Sequence, residues 1–196
     1  GAGVIRHYDG LGWRDVASPT VERLSDVQML GPDDGWAVGR RGTILRYRDG
    51  AWTQVPSPTT AHLSAIDMPS GDIGWAVGDG GTIVRYGGGA WHLAPSPTDA
   101  QLNGLDMTSS DEGWAVGASL VRGEAAGGEL LRCRRGLWQR APSPAGATLY
   151  AIEMHRVDRG WAVGGAGTIL GHHPPVDATR LYLPALTARP HGQATA

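Results

Sequence analysis

The sequence predicts an all-β protein, a small β-propeller built from one repeated unit. The pentapeptide Gly-Trp-Ala-Val-Gly occurs four times, and a second tryptophan series keeps register with it. The successive tryptophan spacings are 23, 16, 23, 16, 23, 24 and 23 residues. A period near 39 residues, made of short apolar runs between turn residues, is typical of propeller blades rather than helical repeats. The structural repeat positions are Trp36, Trp75, Trp114 and Trp161 in the motif, and Trp13, Trp52, Trp91 and Trp138 in the second series.

The composition excludes several functional classes. A net charge of −2 gives no overall field that favours nucleic acid or an anionic membrane surface. The absence of lysine rules out Schiff-base chemistry, and the lone Cys133 rules out an internal disulfide and a thiolate metal cluster. No apolar run approaches the length of a membrane span. We expect one repeat domain at residues 1–173 and an extended C-terminal tail at 174–196.

The chain begins in the middle of a repeat unit. Two strands, at 4–8 and 13–16, are joined by an Asp9-Gly10 turn and match the third and fourth strands of a later unit. The first complete unit follows, and its last hairpin carries Asp49-Gly50, a pair that suits turns with positive φ. The four strands of this unit are predicted at 24–30, 36–39, 43–48 and 52–55.

Three further units repeat this order with local changes. Three glycines at 87–89 replace the Asp-Gly turn in the second unit. The third unit has a longer connection, at 118–128, between its second and third strands. The fourth unit departs from the pattern after its third strand. The predicted strands are 62–68, 75–78, 82–86 and 91–94 in the second unit, 102–107, 114–117, 129–134 and 138–141 in the third, and 149–154, 161–164 and 168–173 in the fourth.

The second strand of each unit alternates large and small residues. Trp36 and Val38 lie on one face of the strand and Ala37 on the other, because strand side chains alternate between faces. We expect the motif tryptophans to pack between blades. The small alanine and the flanking glycines then permit close approach of the next sheet.

The two ends of the repeat leave the number of blades open. The N-terminal strand pair can complete the C-terminal pair and close a ring of four blades, which removes exposed sheet edges. However, residues 168–173 supply a fifth candidate third strand, in which Gly171 stands where other units have arginine. Two separate half-blades would give five blades, and an open array completed by another chain is the third arrangement.

The pattern GWAVG-x-x-GTIL-R-Y followed by DG-x-W resembles the repeats of the photosystem II stability and assembly factor family. It is also similar to the wider group with sialidase-type Asp-box (bacterial neuraminidase) repeats. The resemblance covers residues 4–171 and is closest at 35–46 and 74–85. It implies a β-propeller, often extracytoplasmic, and for the assembly factor a non-enzymatic, chaperone-like binder of membrane-protein subunits. The Asp-box turn is shortened at 49–52, so the resemblance supports the fold more than any one function.

Two charged series recur once per unit. One carboxylate per blade is too dispersed for a compact calcium site, so we expect the aspartates to form Asx-type turns before the second strand. The arginines are similar to the arginine cluster of a sialidase, but glycoside hydrolysis also needs a carboxylate pair or an activated tyrosine. We therefore expect them to pair with acids of neighbouring blades. The series are Asp33, Asp72, Asp111 and Asp158, and Arg6, Arg46, Arg85 and Arg132.

The remaining reactive side chains show no catalytic pattern. The histidines have neither repeat register nor metal-ligand spacing, and the adjacent His172 and His173 point to opposite faces of a strand. Cys133 stands where another unit has Tyr47, and we expect it to be a small buried hydrophobe. No nucleophile triad, phosphate loop or nucleotide fingerprint occurs. We predict no enzymatic activity, no cofactor and no metal site.

The 118–128 connection is the most individual feature of the repeat. In a propeller it emerges on the same face as the four Ser-Pro loops, and loops held by a rigid scaffold commonly bind partners. Its candidate partner-binding residues are Arg122, Glu124 and Glu129. A neutral surface hairpin is the competing account, because loops tolerate insertion at little cost.

These observations favour a non-catalytic binding or scaffold module for a protein partner. Such a module would be a subunit or assembly factor of a larger complex, with indirect membrane contact, in an extracytoplasmic or secreted setting. The alternative is a carbohydrate-binding propeller of lectin or sialidase type, favoured by the Asp-box-like turns and the tryptophans. We expect no nucleic-acid partner, and self-association is open if one chain does not close its own ring.

Overall fold

The computed structural model describes residues 3–121 and 124–173, and these residues form an all-β propeller. Consecutive strands within each sheet pair antiparallel. The strands are β1 (Ile5–Tyr8), β2 (Trp13–Val16), β3 (Leu24–Gly31), β4 (Asp34–Gly39), β5 (Ile44–Arg48), β6 (Ala51–Gln54), β7 (Leu63–Ser70), β8 (Ile73–Gly78), β9 (Ile83–Gly87), β10 (Ala90–Leu93), β11 (Gln101–Met107), β12 (Gly113–Val121), β13 (Glu124–Arg134), β14 (Leu137–Arg140), β15 (Leu149–Arg156), β16 (Arg159–Gly164) and β17 (Ile169–His172).

The strands form four blades and one separate hairpin. Blade 1 contains β3–β6, blade 2 contains β7–β10, blade 3 contains β11–β14, and blade 4 contains the three strands β15–β17. The first strands of consecutive blades contact one another, which places them at the centre of the array and the last strands at its periphery. The predicted fold class, a small all-β propeller of four blades, is confirmed. The predicted tail at 174–196 lies outside the described residues.

The N-terminal hairpin does not close the ring. Strand β1 pairs with β2 in a sheet of two strands. The third place in blade 4 is taken by β17, which pairs with β16 from Gly160–His172 to Val163–Ile169. Ring closure by strand exchange, one of the arrangements expected from the sequence, is therefore wrong for the described residues, because the chain supplies its own third strand there.

The connection between second and third strands differs in blade 3. In the other blades it is a short 3₁₀ turn, at Arg40–Gly42, Asp79–Gly81 and Gly165–Gly167. In blade 3 the two strands continue as a longer hairpin, with β12 and β13 paired from Gly113–Cys133 out to Val121–Glu124. The predicted loop at 118–128 is thus mostly strand. Among the described residues no helix has the length and apolar character needed to cross a membrane.

The hydrophobic core lies between the blades. Trp36 and Val38 of blade 1 pack with residues of blade 2, including the small Ala76 on its facing surface. Trp75 and Val77 of blade 2 pack in the same way against blade 3. Each motif therefore presents its large residues to the following blade and its alanine to the preceding one, as strand alternation requires.

The last strand of each blade completes the interface with the preceding blade. Trp91 of blade 2 meets Trp36 edge-to-face with ring centroids 5.5 Å apart. Between blades 3 and 4, His172 of β17, which stands at the repeat position of Tyr86, lies with its ring centroid 5.0 Å from that of Trp114. Such aromatic pairs add about 0.5–1.5 kcal/mol beyond their buried area. The interfaces, rather than the single sheets, hold the array together.

The two motif glycines are fixed by close approach. A β-carbon at Gly78 would overlap the carbonyl oxygen of His62 on the neighbouring strand. A β-carbon at Gly74 would overlap the sulfur of Met68, which covers the strand at that point. Equivalent pairs recur in every blade, which explains why all four methionines lie at one repeat position.

Candidate functional site

A pocket of about 500 Å³ lies between the outer strands of blades 1 and 2. Three aromatic rings form one wall, with the ring centroids of Trp36 and Tyr86 only 4.8 Å apart. The loop after β6 forms another wall, and two arginines contribute positive charge. The lining residues are Trp36, Arg46, Arg48, Val55, Pro56, Ser57, Pro58, Tyr86, Gly89, Ala90 and Trp91.

Arg46 is the charged centre of this pocket. It follows from strand register, because Arg46 on β5 stands opposite Trp36 on β4. Its guanidinium carbon lies 4.2 Å from the centroid of the Trp36 ring, which is a cation–π contact. Only 7% of Arg46 is exposed, whereas arginine is ordinarily a surface residue.

The hydrogen bonding of Arg46 is incomplete. Its Nη2 donates to Oδ2 of Asp34 at 2.6 Å, and this ion pair neutralises the charge in part. Its Nε and Nη1 are buried and have no hydrogen-bond partner within the described part of the chain, and the same holds for the indole nitrogens of Trp36 and Trp91. Buried polar groups are ordinarily bonded, so this cluster has unused capacity to donate hydrogen bonds.

The buried arginine is specific to blade 1. Asp34 stands two positions before the motif tryptophan, where the other units have Ile73, Glu112 and Arg159. Without an acid at that place, Arg85 of blade 2 lies exposed, 5.5 Å from the Trp75 ring. Glu112 in blade 3 is also acidic, but there Arg132 is only partly buried, so the burial of Arg46 depends on its pairing with Asp34 and was not predicted from the shared repeat pattern.

The arginine series stacks on tryptophan rather than pairing with acids of neighbouring blades. Arg46, Arg85 and Arg132 each lie over the motif tryptophan of their own blade. Arg6 pairs with Asp15 of its own hairpin at 2.7 Å. The expected pairing across blades is therefore wrong, because the register of adjacent strands already places a ring under each guanidinium.

The candidate partner-binding residues of the 118–128 connection are not one exposed cluster. Arg122 lies outside the described residues, and Glu124 is the first residue of β13. Glu129 is buried, and its Oε1 and Oε2 accept hydrogen bonds from Nε and Nη2 of Arg140 at 2.7 and 2.9 Å. A partner could engage Glu129 only by displacing Arg140, so its present role is to hold β13 to β14.

The long hairpin does share a face with the Ser-Pro loops. The Gly128 amide donates to the carbonyl of Ala145, in the loop after blade 3, at 2.9 Å. In blade 1, Gly42 lies directly against the carbonyl of Thr59. Ser57 Oγ donates to that same carbonyl at 3.1 Å and so shapes the loop. The same Ser-Pro loop borders the Arg46 pocket through Ser57 and Pro58.

A second polar series, unnoticed in the sequence, links the inner strands. Asp67 of β7 accepts a hydrogen bond from the backbone amide of Met107 in the next blade at 2.5 Å. Gln28 bonds the Met68 amide in the same way through Oε1, and Asp106 bonds the Met154 amide. These side chains stand eight residues before each motif tryptophan, so register alone could have found them. The series is Gln28, Asp67, Asp106 and Glu153.

Two carboxyls of this series, those of Asp67 and Asp106, have raised pKa values. Burial raises the pKa of Asp106 to about 6, and the neighbouring charges of Asp67 and Glu153 add to the rise. Burial also raises the pKa of Asp67, against the opposing effect of its bond from Met107. The arrangement is a hydrogen-bonded ladder between blades, and its acids do not face the Arg46 pocket.

The structure also tests the expectations for the Asp33 series, for metal ligands and for Cys133. Among the described residues, the Asp33 series makes one side-chain hydrogen bond, from Ser109 Oγ to Asp111 Oδ1 at 3.1 Å, and accepts none from a backbone amide, so the expected Asx-type turns are wrong. No cluster of potential metal ligands occurs within residues 3–121 and 124–173. Cys133 is fully buried, as expected, and its Sγ lies 3.4 Å from the carbonyl of Asp111.

The fold is similar to several solved propellers. YCF48 bound to D1 peptide matches with a TM-score of 0.66 and 20% identity, over 88% of this chain and 58% of that one. YCF48 from Cyanidioschyzon merolae matches with 0.64 and 22%, over 88% and 62%. An inactive virginiamycin B lyase from Staphylococcus aureus with quinupristin matches with 0.65 and 16%, over 90% and 64%. The chain thus spans less than two thirds of each of these proteins.

These likenesses concern the fold. No protein-family model matches the sequence, and no curated protein matches it. At the identities found, the solved structures establish a shared β-propeller architecture. The propeller resemblance predicted from the repeats is therefore confirmed at the level of architecture, and the matched structures include both a peptide-bound protein and a lyase.

Proposed function

We propose that the chain is a non-catalytic binding module that holds an extended segment of a protein partner, with the Arg46 pocket receiving an acidic group of that segment. The observation that carries the proposal is the buried, incompletely bonded guanidinium of Arg46 in a positively charged pocket. A buried donor without a partner costs about 1–3 kcal/mol. A ligand carboxylate at this pocket would recover part of that cost through charge-assisted hydrogen bonds.

The shape of the pocket supports a peptide as ligand. It runs between two blades and is bordered by Pro56, Ser57 and Pro58 on one side and by Gly89 on the other. The aromatic wall offers apolar area for a flanking side chain, while Arg48 adds a second cation. A propeller of similar fold, YCF48, has been solved bound to D1 peptide, which supports the same class of ligand here.

The lining of the pocket supports binding rather than catalysis. Its ionisable residues are Arg46, Arg48 and Tyr86. General acid–base catalysis near neutral pH ordinarily uses a histidine or a carboxylate within hydrogen-bond reach of the reacting atoms. The carboxylate nearest to Arg46, that of Asp34, is engaged in the ion pair. The fold is similar to that of a lyase, but among the described residues the lining of this pocket offers no histidine or free carboxylate for acid–base catalysis.

Carbohydrate binding is the second candidate, and the aromatic wall favours it. Trp36, Tyr86 and Trp91 form one cluster with unbonded indole nitrogens. Sugars combine stacking on aromatic faces with hydrogen bonds to polar groups. However, both tryptophans are almost fully buried, which leaves little face for a sugar ring. The acidic peptide uses the charge of the pocket, and the sugar does not.

The wider role follows from the repeats. We propose that the partner belongs to a larger membrane-associated complex, for which this chain acts as a subunit or assembly factor outside the cytoplasm. The resemblance of the GWAVG repeats to assembly-factor propellers is what supports this setting. Cross-linking of the chain in envelope fractions, followed by identification of the attached peptide, tests the setting separately from the pocket.

The pocket itself is tested with a peptide array in matched pairs. Each pair has one peptide with Asp or Glu and one with Asn or Gln at the same places. We expect the wild type to retain a subset of the acidic members only. Arg46→Gln should weaken that binding at least tenfold, since it removes the buried charge while keeping most of the side-chain volume. The control is Arg134→Gln, at an exposed arginine on β13.

The outcomes separate the candidates. Loss of acidic-peptide binding in Arg46→Gln but not in Arg134→Gln supports the proposal. Equal binding of acidic and amide peptides, or equal loss in both variants, overturns it. If the chain instead retains a glycan on a parallel sugar array, and Arg46→Gln leaves that binding unchanged, carbohydrate binding replaces peptide binding as the proposed function. Thermal unfolding of each variant checks that the fold is intact.

A further inference from the structure

The outward face of blade 4 repeats a surface that is buried elsewhere in the molecule. Trp161 is 52% exposed, whereas Trp36, Trp75 and Trp114 at the same repeat position are 2%, 0% and 7% exposed. Val163 and Ile169 are exposed as well, although their counterparts in blades 1 and 2 are buried. In blades 1–3 this face packs on the following blade. Within residues 3–121 and 124–173, the three-stranded blade 4 therefore presents an interface half on which no further blade packs.

Blade 4 also lacks the arginine that covers the tryptophan in other blades. Gly171 stands opposite Trp161 in the strand register. A β-carbon at Gly171 would overlap the Trp161 ring, which shows that the indole packs directly against the glycine backbone. The ring therefore carries no guanidinium from the described part of the chain; His173 lies edge-to-face against it with centroids 5.2 Å apart, and about half of the Trp161 side chain stays exposed for contact.

The opposite face of blade 1 is the other half of the same interface. Met29 is 46% exposed, whereas Met68, Met107 and Met154 are 2%, 7% and 7% exposed. Val27 is 58% exposed, and its counterpart Ile66 is 5% exposed. These residues are the ones that, in blades 2 and 3, receive the tryptophan of the preceding blade.

The receiving face of blade 1 lines a groove of about 830 Å³. Tyr47 and Trp52 stand in it with centroids 5.1 Å apart. Their counterparts in blade 2, Tyr86 and Trp91, hold the indole of Trp36 between blades. The N-terminal hairpin forms the far wall and contributes Ile5 and Val16, but no motif tryptophan. The groove thus has the lining of a motif-tryptophan site, but among the described residues no motif tryptophan enters it.

A hydrogen bond is also left open at each end. At every interface inside the array, a polar side chain accepts from the methionine amide of the next blade, as Asp67 does from Met107. Within residues 3–121 and 124–173, no side-chain acceptor reaches the amide of Met29, and the carboxylate of Glu153 receives no such amide. The first blade offers the donor and the last blade offers the acceptor.

We propose that blade 4 of one copy of this chain docks on blade 1 of a second copy. Trp161 enters the groove beside Tyr47 and Trp52, and Glu153 accepts the amide of Met29. The occupant is a second copy because its two exposed faces are complementary in apolar shape and in hydrogen bonding, by the same repeat that joins the blades. The contact is head-to-tail, so two copies joined by one such contact keep one free face at each end, and the pair closes only if the same contact forms reciprocally.

This inference is independent of the Arg46 pocket, which lies between blades 1 and 2. The test is the mass of the full chain in solution by light scattering during size exclusion, from about 1 to 100 μM. We expect the wild type to shift from one copy to two. Trp161→Ser should lower self-association at least tenfold, and Val27→Arg should do the same from the other face. Leu93→Ser, at an exposed leucine outside both faces, should leave it unchanged.

Mixing the two interface variants gives the decisive result. Each has one intact face, so a mixture of Trp161→Ser and Val27→Arg should form a mixed dimer through a single contact, while each alone stays monomeric. Failure of the mixture to associate, with both variants folded by circular dichroism, overturns the head-to-tail contact. A monomeric wild type at 100 μM also overturns it, and shielding of Trp161 from acrylamide in that monomer would show that another segment of the chain covers the face.

Discussion

The indole of Trp75 in blade 2 packs edge-to-face on the indole of Trp138 in blade 3, with ring centroids 5.6 Å apart and an interplanar angle of 81°. The Trp75 Nε1 also donates to the carbonyl of Ser110 at 3.0 Å, beyond the same interface. One side chain thus supplies apolar area, an aromatic contact and a hydrogen bond between two blades. The stability of the array depends on such contacts, since each blade touches only its neighbours.

Trp75→Ala should lower the free energy of unfolding by about 3–5 kcal/mol. The change removes a fully buried indole and leaves a cavity that neighbouring strands cannot fill. Trp161→Ala is the matched control at the same repeat position, and its half-exposed ring should cost about 1 kcal/mol or less. Urea unfolding at low protein concentration measures both, and similar losses in the two variants would contradict the assignment of Trp75 as an interface residue.

Gly78→Ala should be destabilising by about 1–3 kcal/mol. The residue has extended backbone, so the cost is not conformational. A β-carbon there meets the carbonyl of His62, and the first and second strands of blade 2 must separate to admit it. Gly71→Ala is the control, since a β-carbon at Gly71 has no neighbour within 4 Å. Thermal unfolding compares the two, and an unchanged midpoint in Gly78→Ala would show that the strands can shift freely.

The repeat made the architecture predictable from the sequence. The same residue types recur in every blade because every blade has the same close contacts within its sheet. These residues are Trp36, the glycines beside it, Met68 and their equivalents. What the repeat cannot show is a residue that departs from it. Asp34 turns one of several similar arginines into a buried site, and its effect depends on a strand pairing between β4 and β5.

The ends of the array were also beyond sequence reasoning. Residues 168–173 and 4–8 carry the same apolar pattern, so the sequence predicts either segment equally well as the third strand of blade 4. The structure gives that place to the segment nearer in the chain, which needs only a short turn to reach it. Closing a loop of a few residues costs less conformational entropy than bringing the two ends of the repeat region together. The hydrophobic pattern of the sequence does not report this entropy cost.

Cys133 should be unreactive in the folded protein. It is fully buried between blades 2 and 3, and burial raises the pKa of its thiol to about 12. The thiolate is the reactive form, so at pH 8 both access and ionisation are suppressed. A disulfide reagent at pH 8 should label the native chain at least a hundredfold more slowly than the unfolded chain. Leu137→Cys in a Cys133→Ala background supplies an exposed thiol as control, and rapid native labelling of Cys133 would contradict the burial.

Asp106→Asn should stabilise the protein above pH 6. Because the folded pKa of Asp106 lies at about 6, above its ordinary value of 3.8, the folded state binds this proton more tightly than the unfolded state does. The stability that the protonated carboxyl contributes is complete below pH 4 and is lost as pH rises to 6. Asparagine stays neutral throughout and can still accept from Met154 through its amide oxygen. Gln28 already plays that part in blade 1, where it accepts from the Met68 amide and donates to Asp67 at 3.0 Å.

The size and pH range of this effect make it a sharp test of the inner ladder. Asp106 is only half-buried, so solvent screening reduces the expected gain to about 1 kcal/mol at pH 7–8. Urea unfolding of wild type and Asp106→Asn between pH 3.5 and 8 should show equal stability below about pH 4 and a growing difference between pH 4 and 6. Asp72→Asn, at an exposed aspartate outside the ladder, is the control for the Asp-to-Asn change itself. A variant that is less stable than wild type at every pH would mean that the charge on Asp106, rather than its proton, holds blade 3 to blade 4.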